Sequence, residues 1–188
     1  MTNYEFKRGY VPFLFALGLG MFNDKGNILS NKLEVAILAA GKGTRMNSAL
    51  PKVLHTIGGR SLVEHVINRA KELACENIHI IYGFKGELLQ ETLNKALNTT
   101  LNTVRNNIIW SEQKLQLGTG HAIKQIINKI NPENDILILY GDVPLISTQT
   151  LQKLIDIKQG HSLALLTALV QNPMGYGRIV RNIDGEIK

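Results

Sequence analysis

The sequence predicts an α/β fold with a mostly parallel sheet and helices on both of its faces. Short apolar runs that end at glycine, helical periodicity between them, and regular alternation of the two patterns from residue 33 onward all favour this class. The chain has 188 residues, 44% of them hydrophobic and 19% charged, which suffices for one domain with a real core. In such folds the ligand lies at the carboxyl ends of the strands, so the loops there are expected to carry the chemistry.

The predicted elements alternate in order along the chain. Ser61 and Glu64 form a capping box where the first helix opens, and Ser147 caps the last helix. Residues 98–107 are polar and rich in turn formers, which predicts a loop. Strands are predicted at residues 35–40, 78–83, 108–110, 135–140 and 163–170, and helices at 61–73, 86–97, 119–130 and 147–158.

The charge pattern favours a protein that handles phosphates. A formal net charge of +6 suits either phosphate or nucleic-acid binding. The lysines and arginines are scattered, with no run of five and no interleaved aromatic residues, so no nucleic-acid partner is expected. The single cysteine, Cys75, can form neither an intrachain disulfide nor a zinc cluster. A packing role in a reduced compartment is expected for it, which favours a cytoplasmic location.

Residues 1–32 are predicted to be an extension of uncertain order, separate from a domain at residues 33–188. An apolar run at residues 10–22 is shorter than the roughly 20 residues that a membrane helix needs, so no membrane span is expected. Pro12 and the glycines make it a poor helix, and no small-residue cleavage site follows it. Three interpretations stay open: a weak membrane-associating or signal segment, a poorly ordered extension, or upstream sequence translated before a true start at Met21.

The loop after the first predicted strand combines small residues with cations. Residues 38–46 read LAAGKGTRM, in which the glycines allow close backbone approach and successive N–H groups can cradle phosphate oxygens. Met46 stands at the third glycine position of a dinucleotide fingerprint, and the Walker A sequence is absent. Arg45 and Lys52 can neutralise a polyphosphate. The alternative is a tight glycine turn beside two solvated surface charges.

Three further motifs lie at predicted strand ends. Asp142 follows a buried strand and suits Mg²⁺, although an aspartate before a turn is common. The amide of Gln113, close to the LGTGH sequence at residues 117–121, can donate to and accept from a base edge. The GYGR sequence at residues 175–178 is either a hairpin turn or a backbone contact to a sugar. His121 is disfavoured as a general base, because phosphoryl-type transfer to a phosphate that is already an anion needs no base.

Together these motifs resemble the amino-terminal domain of bacterial N-acetylglucosamine-1-phosphate uridyltransferases. The resemblance runs from about residue 35 to residue 178 through LAAGKGTRM, LPKVLHTIGG, QLGTGHA, ILYGDVPLIS and GYGRI, in the family's order. It implies a Rossmann-like three-layer nucleotidyltransferase fold. It also implies transfer of uridylyl from UTP to N-acetylglucosamine 1-phosphate, with release of pyrophosphate and Mg²⁺ as cofactor.

The resemblance also implies a role for each candidate site residue. Arg45 would hold the β- and γ-phosphates, Lys52 would lie at the α-phosphate, and Asp142 would hold Mg²⁺. The remaining implied contacts are Leu38, Ala39, Ala40, Gly41 and Gln113 to the uridine, Gly118, Thr119, Tyr140 and Gly141 along the nucleotide, and Gly177 near the sugar.

The sequence departs from the family pattern in two places. Leu115-Gln116 stands where the family usually has glutamate and glutamine, and the chain ends at Lys188. Family members continue with sugar-binding residues, an asparagine of the magnesium site and a β-helix acetyltransferase domain, so the carboxy-terminal part of the domain is expected to be missing. Two alternatives to the uridyltransferase stay open: an inactive fragment that at most binds nucleotide, and a nucleotidyltransferase for another sugar phosphate.

Overall fold

The computed structural model describes residues 9–18, 32–41, 43, 46, 48–100, 107–158, 161–172, 174 and 179–185. Within them, 3₁₀ turns occupy Lys52–Leu54 and Ile127–Lys129. The strands and helices are β1 (Gly9–Gly18), β2 (Leu33–Ala39), β3 (Thr56–Ile57), β4 (Arg60–Ser61), α1 (Leu62–Glu72), β5 (Asn77–Tyr82), α2 (Gly86–Thr100), β6 (Asn107–Glu112), α3 (Thr119–Lys124), β7 (Asp135–Tyr140), α4 (Thr148–Lys158) and β8 (Leu163–Val170).

Six strands form one sheet in the order β6-β5-β2-β7-β1-β8. The pairs β6–β5, β5–β2 and β2–β7 are parallel. β1 is antiparallel to both of its neighbours, β7 and β8, so it alone opposes the direction of the other strands in this sheet. β3 and β4 form a separate short hairpin. The mostly parallel sheet predicted from the alternating pattern is confirmed.

Alternate residues of the central strands supply two cores, one on each face of the sheet. Val35 and Ile37 of β2 belong to the larger core, which α1, α2 and α4 cover. Ala36 of β2 belongs to the smaller core, which is closed by α3 and by Ile126 and Ile130 just beyond it. The side chains of β2 are therefore buried on both faces, as its continuous apolar run predicts. The result is a three-layer architecture.

The start of α1 follows from local sequence. The Ser61 hydroxyl accepts from the backbone N–H of Glu64 at 3.4 Å, and the Glu64 carboxylate accepts from the Ser61 N–H at 2.7 Å. The predicted capping box is therefore confirmed. Val63, Val66 and Ile67 are fully buried on one face of the helix. Each such burial contributes about 1.5–3 kcal/mol, which fixes α1 against the sheet.

Two predicted helices have different bounds in the structure. The prediction of one helix over residues 119–130 is wrong, because α3 ends at Lys124 and a 3₁₀ turn follows. This break turns Ile126, which is 0% exposed, onto the sheet while Ile127 remains 53% exposed. α2 continues to Thr100, three residues into the predicted loop at 98–107. The β3–β4 hairpin was not predicted.

Part of the predicted extension, residues 1–32, belongs to the sheet. β1 pairs Phe15 with Ile138 of β7 and Gly9 with Val170 of β8. Its register with β8 shifts next to Pro12, as expected for a residue that has no backbone N–H to donate to the neighbouring strand. Residues 1–8 and 19–31 lie outside the described residues. Within the described part of the chain, no helix has the length and apolarity to cross a membrane.

A buried polar cluster ties the amino end of β2 to its surroundings. The Glu34 carboxylate, 0% exposed, accepts from Asn131 N and Asn134 Nδ2 at 2.9 Å and from Asn77 Nδ2 at 3.3 Å, and lies 2.6 Å from His79 Nε2. Burial by itself would raise the pKa of Glu34, but these partners outweigh it and hold the pKa below its ordinary value. The cluster lies at the opposite end of the strand from the candidate site.

Candidate active site

The carboxyl ends of β2, β6 and β7 surround a cavity of about 310 Å³. The strand-end rule of α/β folds predicts a ligand site at this position. The structure brings together there most of the residues singled out from the sequence. They are Leu38, Ala40, Gly41, Lys52, Gln113, Gly118, Thr119, Tyr140 and Asp142.

The other candidate residues do not line the cavity or lie outside the described residues. Ala39 is buried in the larger core. Gly141 donates its N–H to Leu38 O at 2.9 Å, and a Cβ there would lie 3.1 Å from the same oxygen. Gly141 thus lets the end of β7 approach β2 closely. Arg45 and Gly177 lie outside the described residues, and their roles stay predictions.

Lys52 and Asp142 form an ion pair in the cavity, with 2.5 Å between Nζ and Oδ2. Lys52 opens a 3₁₀ turn that Val53 and Leu54 anchor, each being only 4% exposed. Asp142 follows the last residues of β7. The two side chains are 41% and 30% exposed, so solvent weakens the pair to at most about 1 kcal/mol. Both groups can therefore exchange partners readily when an anion and a cation enter together.

The glycine loop contacts Lys52 directly. Gly43 has φ +62°, and a Cβ at this position would lie 2.8 Å from Lys52 Cβ. Any other residue would be strained in this backbone conformation and would collide with the lysine stem. Gly43 was not predicted as a site residue from the sequence. Its position in the LAAGKGTRM loop is the signal that could have identified it.

Gln113 is held from several sides at the end of β6. Its backbone N–H donates to Tyr82 O at 2.7 Å, which continues the pairing of β6 with β5. Its side-chain Nε2 lies 3.1 Å from Gly118 O and 3.0 Å from Nδ1 of His121. Gln113 lines the cavity and His121 does not. The imidazole therefore lies behind the glutamine.

Sequence reasoning missed Gln116 as a cavity residue. Its Nε2 donates to Ala40 O at 2.7 Å, so it contacts the backbone carbonyl just beyond the end of β2. Leu115 and Leu117 on either side are 64% and 70% exposed. The contact fixes the loop between β6 and α3 over the end of β2. Two apolar wall residues, Val53 and Ala122, were also not predicted.

The metal-binding groups in the cavity fit Mg²⁺ better than a metal ion that is coordinated by protein side chains alone. Asp142 presents one carboxylate to the cavity. No group of three or more His, Cys, Asp or Glu side chains within metal-binding reach exists among the described residues. Mg²⁺ keeps several waters and is typically held by one or two carboxylates and by phosphate oxygens of the substrate. Asp142 with a bound triphosphate would satisfy this requirement.

Residues 35–179 match the MobA-like NTP transferase domain, a stretch that includes the glycine loop, Gln113 and Asp142. The chain belongs to the MobA-like NTP transferase domain family. This family match covers the strands and loops that surround the cavity.

Solved structures share the fold of this MobA-like domain at low sequence identity. UDP-glucose pyrophosphorylase from Acinetobacter baumannii is 24% identical with a TM-score of 0.56, over 69% of this chain and 53% of that one. HddC from Yersinia pseudotuberculosis complexed with GMP-PN is 22% identical (TM-score 0.52) over 66% of this chain and 53% of its own. Rv0371c from Mycobacterium tuberculosis, complexed with manganese, is 15% identical (TM-score 0.50) over 69% and 60%.

The chain spans between about half and two thirds of the length of these solved structures. The family match and these likenesses confirm the Rossmann-like nucleotidyltransferase fold that the sequence predicts.

Proposed function

We propose that this chain carries the nucleotide-binding part of a uridyltransferase that transfers uridylyl from UTP to N-acetylglucosamine 1-phosphate. The observation that carries the proposal is the cavity at the strand ends, where Lys52, Asp142 and a glycine loop meet. The family match supports nucleotidyl transfer, and the LPKVLHTIGG and QLGTGHA stretches support this substrate pair. A structure of the Acinetobacter baumannii pyrophosphorylase is UTP-bound, which supports a uridine nucleotide in this fold.

The reaction needs positioning and charge neutralisation rather than proton transfer. A phosphate oxygen of the sugar phosphate attacks the α-phosphorus of UTP and forms a P–O bond. The bond from that phosphorus to the bridging oxygen of the pyrophosphate breaks, and the pyrophosphate leaves with the electron pair. The attacker is already an anion, so no general base is required. Fixed cations in a preformed cavity suit this chemistry.

The residues of the cavity divide these tasks. Lys52 would turn from Asp142 to the α-phosphate, where its charge offsets the charge that develops during attack. Asp142 would hold Mg²⁺, which would offset the negative charge of the phosphates. Arg45, from the glycine loop, would hold the β- and γ-phosphates. The manganese complex of Rv0371c supports a divalent cation in this fold.

A nucleotidyltransferase for another sugar phosphate is the second candidate, favoured by the likeness to a UDP-glucose pyrophosphorylase. An inactive fragment that at most binds nucleotide is the third.

Pyrophosphate release from UTP and Mg²⁺, with and without N-acetylglucosamine 1-phosphate, tests the proposal. We expect release that depends on this sugar phosphate and is abolished in Asp142→Asn and Arg45→Ala. Asp156→Asn is the matched control, because Asp156 lies on α4 and contacts Gln152 outside the cavity. Faster release with glucose 1-phosphate would favour the second candidate. Folded protein that binds UTP without turnover would favour the third.

A further inference from the structure

The cavity has two walls that continue different strands of the sheet. One wall continues β2 and the other follows β6, and β5 lies between these two strands. The β2 wall consists of Leu38, Ala40, Gly41, Gly43 and Lys52, and the β6 wall consists of Gln113, Gln116, Gly118 and Thr119. A ligand that contacts both walls therefore depends on the distance between them.

A side-chain hydrogen bond joins the two walls. Gln116 Nε2 donates to Ala40 O at 2.7 Å. Ala40 is only 6% exposed, so its carbonyl has little access to water and needs a donor from the protein. A carbonyl oxygen can only accept, so the amide nitrogen must face Ala40, and a half-turn of the amide would lose the bond. Among the described residues of the two walls, no other hydrogen bond connects one wall with the other.

The end of β5 leaves room for this bond. Gly83 follows β5 directly, and a Cβ there would lie 3.0 Å from Ala40 O and 3.1 Å from Gln116 Nε2. Both bonded atoms would have to shift to accommodate it. Gly83 has no positive φ, so space and not backbone conformation favours glycine at this position. The absent side chain of Gly83 and the amide of Gln116 therefore belong to one arrangement, in which the β6 wall reaches the β2 wall across the end of β5.

We infer that Gln116 is a positioning residue that holds the β6 wall at a fixed distance from the β2 wall, and that a nucleoside triphosphate depends on this bond whereas a bare polyphosphate does not. The inference rests on the proposed nucleotide site, in which uridine contacts both walls and the phosphates meet the glycine loop and Lys52. Without the amide donor the β6 wall can move away from Ala40. Only the molecules whose walls keep the closed distance then bind the nucleotide at full strength. Tripolyphosphate meets the β2 wall alone, so its affinity does not depend on that fraction.

Calorimetric titration of UTP and of inorganic tripolyphosphate, each with Mg²⁺ and without sugar phosphate, measures this dependence without turnover. Gln116→Met and Gln116→Leu remove the donor. Gln152→Met is the matched control, because Gln152 lies on α4 and contacts Asp156 outside the cavity. The ratio of UTP affinity to tripolyphosphate affinity is expected to fall about fivefold in both Gln116 variants, the effect of one neutral hydrogen bond. It is expected to stay within about twofold of wild type in Gln152→Met.

The outcomes separate this inference from the proposed function. Wild-type protein that binds no UTP would overturn both, and wild-type protein that binds UTP but no tripolyphosphate would overturn the inference alone. An unchanged ratio in both Gln116 variants would overturn the role of Gln116 and leave the proposed function intact. A merely structural role would weaken both ligands equally and leave the ratio unchanged, which also counts against the inference.

The expected fall in the ratio, together with no turnover when sugar phosphate is added, would uphold the inference and count against the proposed transfer. Two variants remove the donor, so a folding failure of one leaves the other to decide.

Discussion

Replacing Gly43 with alanine should impair the site through Lys52. An alanine at φ +62° costs about 1–2 kcal/mol of stability, because its Cβ approaches the following carbonyl. The same Cβ would lie 2.8 Å from Lys52 Cβ, closer than two such carbons can pack, so the lysine stem must move. A misplacement of about 1 Å in a positioned group can cost about 100-fold in rate. We expect kcat for pyrophosphate release to fall at least about tenfold.

A second glycine separates backbone strain from collision. Gly58 has φ +57°, and a Cβ added there would meet nothing within 4 Å, so Gly58→Ala carries the backbone strain alone. In urea unfolding, Gly43→Ala and Gly58→Ala should each lose about 1–2 kcal/mol. Only Gly43→Ala should also lose activity, and normal kcat in that variant would refute the argument.

Three further predictions concern other parts of the molecule. Lys52→Met frees the carboxylate of Asp142 and should raise Mn²⁺ affinity without nucleotide by up to about fivefold in electron paramagnetic resonance titrations; unchanged affinity would contradict the pairing. Glu34→Gln should cost about 1.5–3 kcal/mol in urea unfolding near neutral pH, because the buried donors lose their charged acceptor. Because the folded-state pKa of Glu34 is depressed, this stabilisation is present above the unfolded-state pKa and is lost as pH falls through the folded one, so variant and wild type should converge in acid. Burial raises the pKa of Cys75 to about 11, so iodoacetamide should label it at neutral pH only after denaturation, and rapid native labelling would disprove its burial.

Features encoded by neighbouring residues could be predicted from the sequence. The capping box joins Ser61 and Glu64, which are three positions apart, and each strand of the parallel sheet has its own apolar run. The positions of Lys52 and Asp142 could also be predicted, because loops at the carboxyl ends of parallel strands meet at one edge. Their distance from each other, however, depends on how the 3₁₀ turn packs.

Features that depend on distant partners could not be predicted. Gln116 binds a carbonyl 76 positions away, and no local pattern indicates that partner. The pairing of Gln113 with His121 depends on how the loop between β6 and α3 folds back, which no local pattern indicates. The helical periodicity of residues 119–130 did not indicate the break after Lys124. The place of residues 9–18 in the sheet depends on pairing with β7 and β8, which lie far along the chain.

The position of β1 has a consequence for synthesis on the ribosome. It is the first strand of the described chain to be made, yet its partners in β7 and β8 are among the last. At ordinary elongation rates an apolar strand therefore waits on the order of ten seconds for the chain that pairs with it. Such a high contact order slows folding and leaves the segment open to chaperones and to other nascent chains. The parallel strands β2, β5 and β6 can assemble during this interval, before β7 and β8 are made and β1 can pair with them.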